Sequence, residues 1–304
     1  NTYTATVGSN LTWSVSVPAA DIQALGNGDL TVSASVTNQN GNTGSGTRDI
    51  TIDANLPGLR VDTVAGDDVV NIIEHGQALV ITGSSSGLAE GTPLTVTINN
   101  VEYITAVQAD GSWSVGVTAA QVSAWPAGTV NIAVSGESSA ENPVSITHPV
   151  MVDLTPAAIT INTIATDDIL NADEAGSALT ISGTSTAEAG QTVTVTLNGV
   201  NYSGNVQADG SWSVSVPTGD LANLTASPYT VSAAVSDKAG NPASATHNLT
   251  VDLVAPVVTI NTVAGDDIIN ATEHGQAQII SGSATGATTG NTVSVTIGTT
   301  TYTT

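Results

Sequence analysis

The chain has 304 residues, with 26 Asp and Glu against three Lys and Arg, so its formal net charge is −23. Phosphate backbones recruit proteins through Lys and Arg, so this composition excludes nucleic acid and argues against an anionic membrane surface. No run of about 18 apolar residues is present, and we expect no membrane insertion. Cysteine is absent, so no disulfide bond stabilises the fold.

A repeat of about one hundred residues runs through the chain. Trp13, Trp113 and Trp212 stand 100 and 99 positions apart, and Tyr and Asp residues keep the same step. A step of this size is that of a domain. We expect four segments: a carboxyl-terminal half-repeat over 1–53, complete repeats over 54–153 and 154–252, and an amino-terminal half-repeat over 253–304.

Apolar and polar residues alternate within each repeat, which predicts β-strands. In the segment 157–252 we expect strands A to G over 158–165, 178–186, 192–199, 201–207, 211–217, 229–236 and 244–252. One helical turn is expected within 217–225, between strands E and F. The predicted fold class is all-β: tandem seven-stranded immunoglobulin-like β-sandwiches arranged as a rod, with Trp212, Val214 and Val216 in the core.

Acidic residues recur in one loop of every repeat, between strands A and B. We call the segments 63–76, 163–176 and 262–275 the acidic loops. Each carries two adjacent aspartates, and an asparagine and a glutamate follow. The candidate residues in these loops are Asp67, Asp68, Asn71, Glu74, Asp167, Asp168, Asn171, Glu174, Asp266 and Asp267.

Other acids are expected at the two poles of a repeat. Strand G ends at Asp53, Asp153 or Asp252, at the pole of the acidic loop if chain direction alternates through the sandwich. Asp209 and Asp237 lie in loops of the opposite pole, which would face the preceding repeat. We therefore expect acids of neighbouring repeats to converge on one junction.

Clustered carboxylates repel one another unless a cation lies between them, and Lys and Arg are nearly absent. Calcium fits, because it takes six to eight oxygen ligands in flexible geometry. Zinc is disfavoured without cysteine and with four histidines. The alternative is that these acids only solubilise the loops and cap turns.

Other side chains give weaker signals. His75 and His274 follow the loop glutamates, but Ala175 replaces them in the middle loop, so we interpret them as ordinary loop residues. His148 and His247 alternate along strand G and are expected to face solvent. Trp125 occurs in one repeat alone and would either stack on a sugar ring or pack beneath the E–F crossover.

Catalysis is not expected, because no Ser, His and acid recur together as a set. A G-x-S-x-G nucleophile elbow is also missing from the sequence.

Three motifs resemble the bacterial Ig-like repeats of giant surface adhesins and biofilm-associated proteins of Gram-negative bacteria. They are TVAGDDIINATEHGQAQIISGSATG, QADGSWSVSVP and VSDKAGNPASATHNLTVDLVAP. The resemblance extends over essentially the whole chain. It implies an extracellular protein of the bacterial cell surface, exported by type I secretion, with calcium at or near domain junctions.

Carried onto this chain, the resemblance implies Asp67, Asp68 and Asp153 as calcium ligands for one junction, and Asp167, Asp168 and Asp252 for the next. Asn71, Glu74, Asn171 and Glu174 are implied as supporting ligands. The chain departs from its own pattern where Gly136 stands in place of Asp237 and Asn10 in place of Asp110.

Two functions remain open. The chain is either a structural shaft stiffened by calcium, or a module whose own surface binds a glycan or receptor on a host or bacterial cell. Its partners are then neighbouring repeats of the same protein, a second copy of the chain, or that glycan.

Overall fold

Val, Ile and Thr alternate with polar residues along most of the sequence, and these stretches form strands because β-branched side chains suit a pleated surface. The computed structural model describes residues 1–303. The chain divides into two units, Asn1–Leu154 and Thr155–Thr304.

The first unit contains two short helices and ten strands. A 3-10 helix, Glu74–Gly76, lies between the fourth and fifth strands. In chain order the other elements are α1 (Ala19–Gln23), β1 (Gly28–Thr37), β2 (Thr43–Ile52), β3 (Gly58–Val61), β4 (Val69–Val70), β5 (Leu79–Ser86), β6 (Pro93–Ile98), β7 (Val101–Ala106), β8 (Ser112–Val117), α2 (Ala119–Val122), β9 (Gly128–Glu137) and β10 (Pro143–Val152).

Over residues 155–303, the second unit contains one short α-helix and eleven strands. Its 3-10 helices are Glu174–Gly176 and Glu273–Gly275. The other elements are β11 (Ile169–Asn171), β12 (Leu179–Thr184), β13 (Thr192–Leu197), β14 (Val200–Asn205), β15 (Ser211–Val216), α3 (Thr218–Leu221), β16 (Ser227–Ser236), β17 (Pro242–Asp252), β18 (Val257–Ile260), β19 (Gly282–Thr285), β20 (Ser294–Ile297) and β21 (Thr300–Thr303).

Each unit holds one sandwich of two sheets. In the first unit a five-stranded sheet, in the order β4-β10-β9-β6-β7, faces a three-stranded sheet, β3-β5-β8. In the second unit the order β11-β17-β16-β13-β14 faces the pair β12-β15. The predicted two-sheet immunoglobulin-like sandwich is confirmed, and α3 supplies the predicted helical turn.

One strand pair in each sandwich is parallel and not antiparallel. β4 and β11 were not predicted, and each runs parallel to the last strand of its sandwich, β10 or β17. Strand A is correspondingly short in the second unit, where Ile159 forms a single bridge to Ser185. The chain therefore starts each sandwich on one sheet and crosses to the other at the acidic loop.

The core lies between the two sheets and is organised around one tryptophan in each sandwich. Trp113 and Trp212 are each 1% exposed. Val214 and Val216 are buried on the same face of β15 as Trp212, as predicted. Burial of such side chains stabilises a fold by about 1.5–3 kcal/mol each.

Glycine faces each of these tryptophans. A Cβ added at Gly83 would collide with the Trp113 ring and the Arg60 carbonyl, and one at Gly183 with Trp212 and the Thr160 carbonyl. The sheet can approach the ring this closely because glycine has no side chain. The indole Nε1 of each tryptophan is buried without a hydrogen-bond acceptor in the part of the chain described.

The outer segments of the chain, 1–53 and 253–303, expose positions whose counterparts are buried in the two complete sandwiches. Trp13 is 56% exposed where Trp113 is 1% exposed, and Ile269 is 49% exposed where Leu170 is fully buried. The strands β1 and β2 pair only with each other, as do β18 with β19 and β20 with β21. No helix within residues 1–303 has the length and apolarity needed to cross a bilayer.

Candidate metal site

The second aspartate of each acidic loop closes a tight turn. Asp68 has a left-handed backbone conformation, φ 63°, and its Oδ1 accepts a hydrogen bond from the Val64 N–H at 2.8 Å. Asp168 repeats this turn with φ 64° and the Ile164 N–H at 2.8 Å. Asp tolerates the left-handed region because its short carboxylate bonds to nearby backbone. Both aspartates therefore hold the local loop conformation.

The first aspartate of each loop caps the residue two positions later. Asp67 Oδ1 accepts a hydrogen bond from the Val69 N–H at 3.0 Å, and Asp167 Oδ1 accepts one from the Ile169 N–H at 3.1 Å. Such Asx turns are a common local role of aspartate. They guide the backbone from the loop into β4 or β11.

An asparagine and a glutamate cap the 3-10 helix reciprocally. Asn71 Oδ1 accepts hydrogen bonds from the Ile73 N–H at 2.9 Å and the Glu74 N–H at 3.0 Å, and Glu74 Oε2 accepts one from the Asn71 N–H at 3.1 Å. This is the logic of a capping box. The corresponding pairs Asn171–Glu174 and Asn270–Glu273 make the same type of bond. These loop residues therefore cap turns.

Each acidic loop lies beside the end of the last strand of its sandwich. Asp68 O accepts a hydrogen bond from the Met151 N–H at 2.9 Å, and the Asp153 N–H donates to Val70 O at 3.0 Å. In the second unit Asn171 is paired with Asp252 in the register of β11 and β17. The prediction that the acidic loop and the final aspartate of strand G share one pole is confirmed in both sandwiches.

A histidine faces the second aspartate in each sandwich. His148 Nε2 lies 2.7 Å from Asp68 Oδ1, and His247 Nε2 lies 2.7 Å from Asp168 Oδ1. The two histidine side chains are 22% and 26% exposed, so the prediction that they face solvent is wrong. A signal was available in the sequence, because each histidine stands five positions before the aspartate that ends strand G.

The hydrogen bonds favour the ionised form of these aspartates. The Ile164 N–H, followed by His247, lowers the pKa of Asp168. For Asp68, burial raises the pKa, but the Val64 N–H and His148 outweigh that effect and the pKa is lowered. A carboxylate that accepts hydrogen bonds binds its proton less readily.

Comparison with known proteins identifies the repeat. Residues 159–253 match the family of the bacterial Ig-like domain. A solved Ca²⁺-stabilised adhesin that helps an Antarctic bacterium reach out and bind ice is 34% identical, over 98% of this chain and 75% of that one, with a TM-score of 0.48. A 1.5-MDa bacterial ice-binding adhesin is 34% identical, over 82% of both chains, with a TM-score of 0.45. The chain belongs to the bacterial Ig-like domain family.

Another solved structure, a tetra-tandem repeat in the extending region of a large adhesion protein, is 26% identical to these Ig-like repeats. The match covers 85% of this chain and 65% of that one, with a TM-score of 0.33. No curated protein sequence matches the chain.

The donors of the Ig-like acidic loops fit calcium in their chemistry. All are carboxylate, amide or backbone oxygens, which calcium prefers, and no thiolate is present. The capping bonds use one oxygen each of Asp67, Asp68 and Glu74. Within residues 1–303, no group of three or more His, Asp or Glu side chains is positioned to hold a metal ion.

The acids of the other pole lie far from the acidic loop of the same sandwich. Asp237 lies in the loop before β17 and Asp252 is the last residue of that strand, which spans roughly 35 Å at about 3.3 Å per residue. Asp209 Oδ1 accepts hydrogen bonds from the backbone and hydroxyl of Ser211. These two acids therefore do not join Asp167, Asp168 and Asp252 within one Ig-like repeat.

The strand register corrects the correspondence between Gly136 and Asp237 that was predicted from the sequence. Gly136 pairs with Val144 and Val235 pairs with Ala243, so Gly136 corresponds to Val235 rather than to Asp237. Ser138 takes the position of Asp237, and its Oγ accepts hydrogen bonds from the Ala140 and Asn142 N–H groups. The loop before β10 therefore keeps its turn without a carboxylate.

Trp125 is 3% exposed and belongs to the core of the first unit. Its carbonyl lies 2.9 Å from His75 Nε2, so the acidic loop contacts the crossover between β8 and β9. Packing, and not stacking on a sugar, is therefore the role of Trp125. The one side chain that favoured a glycan site is unavailable to a glycan.

Proposed function

We propose that the chain is a segment of the shaft of a large bacterial cell-surface adhesin, and that calcium stiffens it. The observation that carries this proposal is the repeated juxtaposition of an acidic loop with the aspartate that ends the last strand. It occurs in both sandwiches with the same hydrogen bonds. A shaft needs such repetition, whereas a receptor site usually makes one repeat different.

Two similar proteins support this proposal. One similar protein is described as a Ca²⁺-stabilised adhesin and another as the extending region of a large adhesion protein. Asp67, Asp68 and Asp153 would contribute ligands to calcium at one junction, and Asp167, Asp168 and Asp252 at the next. Asp266, Asp267 and Asp53 are the corresponding residues of the outer segments. A bound ion would neutralise part of the charge that otherwise repels these loops.

Extracellular calcium modules bind at about 0.1–1 mM, so the shaft would be less stiff before export than outside the cell. Export by type I secretion and a role in biofilm belong to this proposal. Small-angle X-ray scattering tests its central claim. Millimolar calcium should lengthen and narrow the distance distribution relative to EDTA, and identical profiles under both conditions contradict the proposal.

We also propose that the isolated chain associates with a second copy of itself. The segments 1–53 and 253–303 both expose positions that are buried in the complete sandwiches. Trp13 and Ile269 are the clearest examples. The strand pairs of these segments have free edges, and exposed strand edges pair readily.

A further inference from the structure

The segment 53–55 joins β2 to β3 and is held by side chains from both sides. The Ala54 N–H donates to Asn27 Oδ1 at 2.9 Å, from the loop that precedes β1. Asn142 Nδ2 donates to Asp53 O at 2.9 Å and to Asn55 O at 3.2 Å, from the loop that precedes β10. Three consecutive residues are thus fixed by two asparagines.

Asn142 is suited to this contact because its amide carries two N–H donors. The two donors serve carbonyls two residues apart, so one side chain fixes both ends of the segment. The loop of Asn142 is itself ordered by the Ser138 N–H, which donates to Asn142 O at 2.9 Å. Directly after it, β10 pairs with β9 along ten residues. Asn142 therefore lies at the end of a well-paired hairpin, β9–β10.

We propose that Asn27 and Asn142 form a linker brace that fixes segment 53–55 without metal. The contacts between the brace and the segment join amide groups to backbone groups, and none requires a charged side chain. The Asp53 carboxylate instead bonds within the segment, accepting the Asn55 N–H at 3.1 Å. The inference rests on the proposed shaft function for its role, but the brace acts whether or not calcium is bound.

The two asparagines of the brace differ in whether other repeats of the chain have an asparagine at the same position. Asn42, Asn142 and Asn241 hold the same position before β2, β10 and β17, each at the end of a strand-connecting loop. Asn27 is replaced by Ala127 and Ala226 before β9 and β16. The Asn142 donor is thus a repeated feature of the fold, while the Asn27 acceptor is specific to segment 53–55.

Amide hydrogen exchange in EDTA tests the brace. Asn142→Ala and Asn27→Ala should each raise the exchange rate of the Ala54 amide roughly tenfold, as expected for losing about one hydrogen bond. Asn42→Ala is the matched control, because it makes the same change in the equivalent loop, away from the segment, and should leave Ala54 unchanged. NMR relaxation should show the β1–β2 hairpin reorienting more freely from β3–β10 in Asn142→Ala.

Fold integrity is read from the β10 amides, which should keep their exchange rates in both variants. If Asn142→Ala disturbs β10, Asn142→Asp decides, because it keeps the size of the side chain and removes both donors. Unchanged Ala54 exchange and unchanged relaxation in folded Asn142 variants overturn the brace. If calcium fails to lengthen the chain while Asn142→Ala still loosens segment 53–55, the proposed calcium function fails and the brace stands.

Discussion

His247 Nε2 lies 2.7 Å from Asp168 Oδ1, and His148 repeats the contact with Asp68 at the same distance. The partners are 79 and 80 positions apart in sequence. The same aspartate oxygen also accepts the N–H that closes the acidic loop. One carboxylate oxygen therefore ties the loop both to itself and to the last strand of the sandwich.

Replacing His247 should loosen the acidic loop without unfolding the sandwich. His247→Ala removes one hydrogen bond at a partly exposed site, so we expect a loss of about 0.5–1.5 kcal/mol in the free energy of unfolding. Exchange of the Ile164 amide should rise, since its acceptor loses a restraint. Denaturant unfolding and hydrogen exchange measure both effects, and His274→Ala, in the third acidic loop, is the control. An Ile164 amide that exchanges as in wild type contradicts a tie through His247.

Acid should weaken the same tie. The pKa of Asp168 is lowered by the Ile164 N–H and His247, so the folded state favours its ionised form. The stabilisation is present above the ordinary aspartate pKa of about 3.9 and is lost as pH falls through the lower folded value. Measured in EDTA, the stability difference between wild type and Asp168→Asn should shrink as pH falls below about 3.9. A difference that stays constant down to pH 2 rules out this linkage.

Asp167→Asn separates turn capping from metal binding. Asparagine can still accept the Ile169 N–H, so the free energy of unfolding without calcium should change by less than about 0.5 kcal/mol. The lost charge should lower the calcium bound per chain by equilibrium dialysis. The double change Asp167→Ala with Asp168→Ala should also lower bound calcium while circular dichroism keeps its strand signal. Full calcium stoichiometry in both variants removes these aspartates from the proposed site.

Tyr202 should make the second unit sensitive to alkali. Burial and a hydrogen bond from its hydroxyl to Asp220 Oδ2 at 2.9 Å raise the pKa of Tyr202 to about 12. An unfolded tyrosine loses its proton near pH 10, so stability falls with rising pH between about 10 and 12. Tyr202→Phe should show less of this fall in chemical denaturation. Tyr103→Phe is the comparison, since burial alone raises the pKa of Tyr103. Equal alkaline slopes in wild type and Tyr202→Phe exclude this account.

Self-association should depend on the exposed apolar positions of the outer segments. Sedimentation velocity should show larger species as the concentration of the chain rises, and Trp13→Ser or deletion of residues 1–53 should suppress them. Val80→Ser is the control, because Val80 is 67% exposed on a complete sandwich, so its exposure does not come from an outer segment. A single monomeric boundary at high concentration would show that these exposed positions do not drive association.

Local patterns were sufficient to predict much of the fold. Alternation located strand E, and its three apolar residues Trp212, Val214 and Val216 are buried as expected. The shared pole of the acidic loop and strand G followed from counting strand directions. These features depend on period and chain direction, and both can be read from one sequence.

The remaining features depend on register, which local patterns do not determine. His247 reaches Asp168 because β11 runs parallel to β17, a pairing of three residues without its own periodic signal. Gly136 was misaligned because the loops before β10 and β17 carry different residues at their first positions. Trp125 is a large apolar residue near a proline, and its carbonyl contacts a loop fifty positions earlier.

The parallel pairing of β4 with β10 decides how a repeat responds to being pulled. If the two ends of a repeat are pulled apart, tension draws β4 towards the amino-terminal end and β10 towards the carboxyl-terminal end. Two parallel strands drawn in opposite directions slide past each other, so the Met151–Asp68 and Asp153–Val70 hydrogen bonds are loaded together. Bonds that share a load resist it jointly, whereas a hairpin opened from one end loses its bonds one at a time. Rupture under force is governed by the unfolding rate, and we expect this pair to slow it.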